Sequence, residues 1–411
     1  MSKSEGRCAT ADGADIKLRA RLSIVQESDA PATETVQFNT LASSAAGGSE
    51  PRRHDETRAA AGRHVLAARH AHPMARREDC GCRTCCPAPA ARSPLTVPPQ
   101  AADELRLISP EERESCTRKY HIADARMSLG SALLKRLFVS KTLGIPWSSV
   151  KYGRKRDPQH GKPCAVLPDG TQAPIEFNVS HQNGLVALVG CSSNEAELGV
   201  DIVCTNERSD YTYKLIDREG LDGWVDIYED IFSEEEGFDI KYNVDPFQLL
   251  DGTEVDAQML GRYDRVCKRN QQIVATLPSG ETRKFSSNLL IDAKLRRFYC
   301  FWCFKEAYIK LDGEALLAKW IRELEFKNVR APRPGVQARC ATYGKWGERV
   351  TDAEVWLKRR HLQDTRLEIQ SFEENFMIGV AAKPADRLPE YLINFESLNL
   401  ETDILDFATP I

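Results

Sequence analysis

No stretch of the sequence is apolar over the roughly 18 residues that a membrane-spanning helix needs. The N-terminus also lacks the apolar core of a secretory signal peptide. Both absences argue against a secreted protein and against one embedded in a membrane. We therefore expect a soluble, cytoplasmic protein that has no membrane partner.

An excess of positive charge is missing as well. The 411-residue chain has 56 Lys and Arg side chains against 60 Asp and Glu. Residues 1–100 hold 14 basic and 11 acidic side chains, which leaves 42 basic and 49 acidic ones for the remainder. Because nucleic-acid binding needs a basic surface, the acidic remainder argues against a nucleic-acid partner.

Hydrophobic periodicity is nearly absent from residues 1–100, which are rich in Ala, Ser, Gly, Pro and Arg. We predict that this segment is mostly disordered. It contains a cluster of thiols that could bind zinc or copper, although structural zinc sites usually use two separated pairs; these are Cys80, Cys82, Cys85 and Cys86. One alternative hypothesis makes the segment a metal or nucleic-acid module. The other cysteines are scattered singly, as is typical of reduced thiols.

Residues 109–146 predict two helices. Ser109 and Glu112 have the spacing of a capping box at the start of the first helix. In the second helix, an apolar stripe runs to Gly144, which is predicted to end it. Arg126 lies near the start of this second helix, where its charge opposes the helix dipole. Either it is a surface residue or it pairs with an anion.

Strands are predicted farther along the chain. The stretch FNVSHQNGLVALVG, residues 177–190, predicts two strands joined by a polar turn. Ser180 and His181 end the first of them, and a histidine at this position is either structural or functional. The stretch LGVDIV, residues 198–203, predicts a third strand with Asp201 in its middle. Such an aspartate either caps a neighbouring helix or binds a cation.

The stretch FWCFKEAYIKLDGEALL, residues 301–317, predicts a buried helix, because apolar side chains cover most of its circumference. Glu306 and Lys310 lie one turn apart on one face of this helix. A surface salt bridge is the simpler interpretation of the pair. In buried surroundings, however, a carboxylate needs a positive partner, such as a metal ion or a phosphate-bound cation. Gly313 is predicted to end the helix.

Residues 241–296, ahead of the aromatic helix, predict a polar insertion that contains a hairpin. Short alternating strands follow the helix, and one pair of them is similar to the strand pair around His181. This repetition favours two similar α/β halves. The predicted fold class is α/β (α+β), with subdomains at residues 101–205 and 206–390 and a tail at residues 391–411.

Taken in order, GKP at residues 161–163, FNVSH, GVD and FYCFWCFKEAYIKLDGEALL resemble the motifs of the 4′-phosphopantetheinyl transferases of the surfactin-synthetase-activating type. The aromatic motif and the AKWIRELEF after it are most similar to the fungal and animal branch. The resemblance covers about residues 103–330 and, weakly, residues 331–383. It implies a pseudo-dimer of two similar α/β subdomains, with coenzyme A and Mg²⁺ in the cleft between them.

The resemblance also implies a reaction. Members move phosphopantetheine from coenzyme A to a serine of acyl and peptidyl carrier proteins and release adenosine 3′,5′-bisphosphate. The expected partners are the carrier domains of fatty-acid, polyketide and nonribosomal-peptide synthases and of aminoadipate reductase. We accordingly expect a monomeric enzyme of secondary metabolism and lysine biosynthesis.

Roles for single residues follow from the motif match. Asp201 and Glu306 are implied to bind Mg²⁺ on the pyrophosphate, and Glu306 also to serve as general base for the carrier serine. Lys310 is implied to meet the α-phosphate and to neutralise or protonate the leaving group. His181 is implied to hydrogen-bond the pyrophosphate. Arg126 is implied to pair with the 3′-phosphate. Lys162 and Ser180 are implied to line the nucleotide end.

Three departures from the family pattern limit what the resemblance implies. Two of them, the first strand and the insertion, favour a second hypothesis, a catalytically weak protein that binds coenzyme A or carrier domains. Val203 stands where bacterial members often have a third carboxylate, so the third metal ligand would be water. The first strand of many fungal members has no clear counterpart, although residues 17–25 or 35–41 are candidates for an edge strand. The insertion at residues 241–296 lies where members recognise carrier proteins. The complete set of implied catalytic residues argues against this hypothesis.

Overall fold

The computed structural model describes residues 17–24, 35–41, 101–157, 161–314, 318–335 and 345–409. The cysteine cluster at residues 80–86 and most of the segment predicted to be disordered lie outside these ranges. Within that segment two strands are described at the two candidate positions, but both lie inside a five-stranded sheet and not at its edge as predicted.

The helices lie at the start of the region from residue 101 onward, within residues 209–242, along the aromatic segment and near residue 406. They are α1 (Ala102–Arg106), α2 (Pro110–Thr117), α3 (Ile122–Leu143), α4 (Ser209–Asp226), α5 (Glu234–Tyr242), α6 (Ser287–Asp312) and α7 (Asp406–Ala408). The capping box of α2 and the helix ends at Gly144 and Gly313 are as predicted. Within the described ranges, no helix is both long and apolar enough to cross a membrane.

The strands are short, as the sequence predicted. They are β1 (Lys17–Ile24), β2 (Thr35–Leu41), β3 (Lys151–Arg154), β4 (Pro163–Val166), β5 (Glu176–Gln182), β6 (Leu185–Cys191), β7 (Glu197–Cys204), β8 (Phe247–Gln248), β9 (Glu254–Val255), β10 (Gln272–Thr276), β11 (Thr282–Ser286), β12 (Leu324–Lys327), β13 (Trp346–Val350), β14 (Glu354–Leu357), β15 (Arg360–His361), β16 (Arg366–Phe372), β17 (Phe376–Lys383) and β18 (Glu396–Ser397).

The first sheet has the strand order β18–β1–β2–β6–β5, and β1 also pairs with β6. Strands β5 and β6 form the predicted hairpin, in which Ser180 pairs with Ala187. Apolar side chains on one face of this hairpin, such as Phe177 and Leu188, pack against α3. Because side chains alternate along a strand, the remaining residues of the hairpin face the other way.

The second sheet is antiparallel, with the order β13–β16–β17–β7. One face packs against the first sheet, where Ala187 and Val189 of β6 meet Val200 of β7 and Val380 of β17. The other face is covered by α6. The protein therefore has the predicted mixed α/β architecture, with a long helix on the outer side of each sheet.

The insertion predicted at residues 241–296 is shorter than expected. Its hairpin is present as β10 and β11, and it has a small apolar core of its own. Helix α6 begins at Ser287, however, so residues 287–296 belong to the helix and not to the insertion. The prediction of this boundary was wrong because the helical stretch mixes charged with apolar residues. One of these charges, the ammonium of Lys294, is buried and donates to backbone carbonyls.

The segment predicted as a C-terminal tail, residues 391–411, contacts both sheets in its described part. The buried carboxylate of Glu368 on β16 accepts hydrogen bonds of 2.7 and 2.9 Å from the backbone N–H groups of Leu392 and Ile393. Strand β18 then pairs with β1. The ring of Phe407 on α7 lies edge-on against the indole of Trp147, which follows α3. The segment therefore connects the two sheets.

Candidate active site

Helix α6 lies very close to β7 and β17, and two glycines permit this approach. A Cβ on Gly199 would lie 2.0 Å from the carbonyl oxygen of Ala307, and one on Gly379 would lie 2.8 Å from Sγ of Cys303. Asp201 pairs with Gly379 across the ladder and shares a strand face with Gly199. The two glycines therefore bring the aspartate directly beneath the aromatic helix.

Three of the predicted site residues meet here in one hydrogen-bonded group. The Lys310 ammonium on α6 lies 2.6 Å from Oδ1 of Asp201 and 2.8 Å from Oγ of Ser180 on β5. The Ser180 hydroxyl in turn donates to the same carboxylate oxygen at 3.0 Å. Asp201 is 6% exposed. An ionised carboxylate at this depth requires a charged partner and hydrogen bonds, and the group supplies both.

Glu306 lies one turn before Lys310 on α6 and is half-buried. Among the described residues, no three His, Cys, Asp or Glu side chains cluster so as to hold a metal ion by themselves. Val203, at the position of the third carboxylate, is buried in the apolar core. Carboxylates such as those of Asp201 and Glu306 are the ligand type that Mg²⁺ prefers, since this ion takes one or two carboxylates and completes its coordination with substrate oxygens and water.

The neighbouring basic residue of the helix, Lys305, has a different environment. Its ammonium forms an ion pair of 2.7 Å with Glu236 of α5, and both side chains are at most 2% exposed. It also donates to the carbonyl oxygens of Ile321 and Leu324, while Glu236 accepts from the backbone N–H of Phe326 at 3.0 Å. Burial lowers the pKa of Lys305, and the nearby carboxylate opposes this shift. We infer that this pair fixes the orientation of α6.

His181 follows Ser180 at the end of β5, and its side chain is exposed. Its Nδ1 lies 3.2 Å from the hydroxyl oxygen of Ser131 on α3. Desolvation on the protein side, reinforced by the positive charge of Lys310, lowers the pKa of His181 to about 4. The imidazole is therefore neutral at pH 7 and can offer one N–H donor and one acceptor.

Arg126 lies in the second turn of α3 and is half-buried. The next residue, Met127, accepts a hydrogen bond at its sulfur from the backbone N–H of Gly184, at 3.2 Å. Gly184 belongs to the turn that follows His181. Arg126 therefore lies on the helix that contacts the β5–β6 turn.

The ammonium of Lys162 is buried and pairs with the carboxylate of Glu176 on β5, which also binds Lys155. It donates in addition to the carbonyl oxygen of Leu198 on β7. Burial lowers the pKa of Lys162, although Glu176 opposes the shift. The Lys162 ammonium therefore binds groups of the protein itself. Its predicted role at the nucleotide end stays a prediction.

Polar residues of β5 that the sequence analysis did not select hold β7 in place. The carboxylate of Glu176 binds the ammonium of Lys162, which donates to the carbonyl oxygen of Leu198 on β7. The side-chain oxygen of Asn178 accepts from the backbone N–H of Val200 at 3.0 Å. With Ser180, these residues form an alternating polar row on one face of β5. The alternation with Phe177 and Val179 is visible in the sequence and could have indicated this row.

Comparisons with known proteins find relatives of one family. A family model described as "4′-phosphopantetheinyl transferase, N-terminal" matches residues 97–193. The 4′-phosphopantetheinyl transferase of Aureobasidium melanogenum is 57% identical over 314 residues, which are 75% of this chain and 92% of the relative. 4′-Phosphopantetheinyl transferase A of Aspergillus fumigatus is 34% identical over 324 residues, 71% of this chain and 80% of the relative.

A shorter similarity links the chain to an animal protein. The mouse L-aminoadipate-semialdehyde dehydrogenase-phosphopantetheinyl transferase is 31% identical over 103 residues, 25% of this chain and 32% of the relative. The match to the family model includes Arg126, Ser180 and His181, and the two fungal relatives align over most of their length. The chain therefore belongs to the 4′-phosphopantetheinyl transferase family and is a transferase of that type.

Proposed function

We propose that the protein transfers 4′-phosphopantetheine from coenzyme A to a serine hydroxyl of acyl and peptidyl carrier proteins and releases adenosine 3′,5′-bisphosphate. The observation that carries the proposal is the group formed by Asp201, Lys310 and Ser180. It combines a buried carboxylate with an ammonium on a facing helix. Phosphoryl transfer needs such positioned charges rather than covalent participation by the protein.

The reaction is a displacement at the phosphorus that carries the pantetheine. A bond forms between the carrier serine oxygen and this phosphorus, and the bond from the phosphorus to the bridging oxygen of the diphosphate breaks. The serine proton passes to a base, for which we assign Glu306. The bridging oxygen keeps the electron pair, and the ammonium of Lys310 neutralises or protonates it.

Asp201 and Glu306 would hold Mg²⁺. When bound, the ion neutralises charge on the diphosphate oxygens. The chain's own residues provide the other contacts of coenzyme A: His181 donates a hydrogen bond to the diphosphate, and Arg126 pairs with the 3′-phosphate. Ser180 and the chain around Lys162 would line the nucleotide end, while the Lys162 ammonium itself stays paired with Glu176.

We place the coenzyme A site between two similar α/β subdomains, at residues 101–205 and 206–390. The proposed partners are carrier domains of fatty-acid, polyketide and nonribosomal-peptide synthases and of aminoadipate reductase; the name of the mouse relative supports the last of these. The enzyme then serves secondary metabolism and lysine biosynthesis. We propose that it acts as a cytoplasmic monomer and has neither a nucleic-acid nor a membrane partner.

The proposal is tested by following the nucleotide product. The full chain is incubated with coenzyme A, Mg²⁺ and an apo acyl carrier protein, and adenosine 3′,5′-bisphosphate is quantified by chromatography. We expect one nucleotide for each carrier consumed, and none with EDTA or with a carrier whose acceptor serine is replaced by alanine. Equal product formation with the carrier that lacks the acceptor serine would contradict the proposal.

A second candidate function is binding of coenzyme A or of a carrier domain without efficient turnover. The observation in its favour is that Val203 is buried and apolar, so the protein offers two carboxylates where some members have three. Calorimetry distinguishes the candidates: coenzyme A that binds tightly and yields no product with any of several apo carriers supports the binding protein.

A further inference from the structure

A buried hydroxyl lies against the proposed diphosphate-binding histidine. Ser131 is on α3 and is 6% exposed, and its Oγ lies 3.2 Å from Nδ1 of His181. The two residues are 50 positions apart in sequence. The histidine side chain is exposed, so its ring contacts the protein through Nδ1 while remaining open to a ligand.

The same face of α3 also holds the turn that follows the histidine. Met127 lies four residues before Ser131, so the two side chains project from one face of the helix. The Met127 sulfur accepts from the backbone N–H of Gly184. Two contacts one helical turn apart therefore fix both the imidazole and the turn on α3, and the orientation of the ring is determined by the helix.

We propose that the Ser131 hydroxyl donates to Nδ1 of His181 and thereby selects the tautomer that carries its proton on Nε2, which donates to the diphosphate of coenzyme A. Diphosphate oxygens only accept hydrogen bonds, so a neutral imidazole is useful to them only through an N–H group. The other tautomer would direct a lone pair at the diphosphate. Ser131 is thus a positioning residue that acts through His181, and the proposal rests on the proposed function.

The charges around the ring support a neutral imidazole, for which the choice of tautomer matters. Desolvation is the main cause that lowers the pKa of His181 to about 4; Lys310 and Lys119 add to it, while Asp124 and Asp201 oppose it. At pH 7 one ring nitrogen carries a proton and the other does not. A group that hydrogen-bonds one nitrogen then sets the function of the other.

The test is ¹⁵N NMR of the full chain labelled at its eight histidines, with the His181 signals assigned from the His181→Asn variant. The tautomer is read from the two-bond couplings between ring nitrogens and carbon-bound protons. Ser131→Ala is compared with Ser140→Ala, a matched control on the same helix. Ser140 is also buried, but its hydroxyl donates to the carbonyl oxygen of Ile145.

We expect the Nε2-protonated tautomer in the wild type and in Ser140→Ala, and a mixture of tautomers in Ser131→Ala. The KM for coenzyme A should rise about fivefold in Ser131→Ala, as for the loss of one hydrogen bond, with a smaller change in kcat. Ser131→Thr, which keeps the hydroxyl, should restore the wild-type tautomer and KM.

An Nδ1-protonated wild type, or an unchanged tautomer in Ser131→Ala, would overturn the proposal. The spectrum needs no turnover, so it separates this inference from the proposed function. If Ser131→Ala shifts the tautomer while the wild type forms no nucleotide product with any carrier, the proposed function fails and the control of His181 by Ser131 is supported.

Discussion

The ammonium of Lys310 and the carboxylate of Asp201 are joined by an ion pair of 2.6 Å between helix α6 and strand β7. The pair connects α6, which carries Glu306, to β7. Strand β7 is also bound by the polar row of β5. It therefore joins helix α6 to the strands of both sheets, and in our proposal a diphosphate and its cation bind at this junction.

Glu306→Gln should reduce phosphopantetheine transfer at least a hundredfold, because the amide keeps the volume of the side chain but removes the charge needed for metal binding and for accepting a proton. The measurement is kcat/KM with saturating Mg²⁺ and one apo carrier. Glu323→Gln, at a 55% exposed side chain, is the matched control. Unchanged turnover in Glu306→Gln would remove Glu306 from the site.

Arg126→Ala should weaken binding of coenzyme A by about tenfold or more and should change binding of 3′-dephospho-coenzyme A much less, since only the first ligand carries the phosphate that the guanidinium is proposed to meet. Calorimetric titration with both ligands provides the comparison. Arg106→Ala removes an exposed arginine and serves as the control. Equal weakening of both ligands would show that Arg126 does not recognise the 3′-phosphate.

Lys305→Met should lower the free energy of unfolding by about 3–5 kcal/mol, because it leaves the carboxylate of Glu236 buried without its cation. Urea denaturation of the purified variants measures this loss. The double variant Lys305→Met/Glu236→Gln should recover part of it, since the amide keeps an acceptor for backbone N–H groups and carries no charge. A double variant less stable than Lys305→Met alone would contradict the buried-charge explanation.

The free energy of unfolding should decrease as the pH falls from about 6.5 to about 4. In this window the unfolded chain protonates His181, whereas the folded protein, in which the pKa of His181 is about 4, does not. The unfolded state therefore binds more protons, so stability rises with pH. Denaturation at several pH values should show a shallower dependence for His181→Gln than for the wild type. Identical slopes would contradict the lowered pKa.

Local sequence signals predicted much of the fold. The capping box at Ser109 and the glycine that ends α6 depend on neighbours within a few residues, so they can be predicted from the sequence. The start of α6 was missed because the charges of its first ten residues suggested a polar insertion. One of them, Lys294, is buried by partners that are distant in the sequence.

The residues of the candidate site were chosen largely by resemblance, and their contacts could not be derived from spacing. The motif selected Lys310 and Asp201, but their ion pair depends on the packing of α6 across β7. The contact between Ser131 and His181 joins a helix to a hairpin. No pattern within either element indicates it, because tertiary packing alone brings the two together.

Intact mass spectrometry of an apo acyl carrier protein, incubated with the full chain, coenzyme A and Mg²⁺, tests the central claim most directly. The account predicts a gain of about 340 Da, the mass of one phosphopantetheine group, that EDTA abolishes because metal assistance is lost. A carrier mass that stays unchanged for every carrier type tested, while coenzyme A still binds, would contradict it.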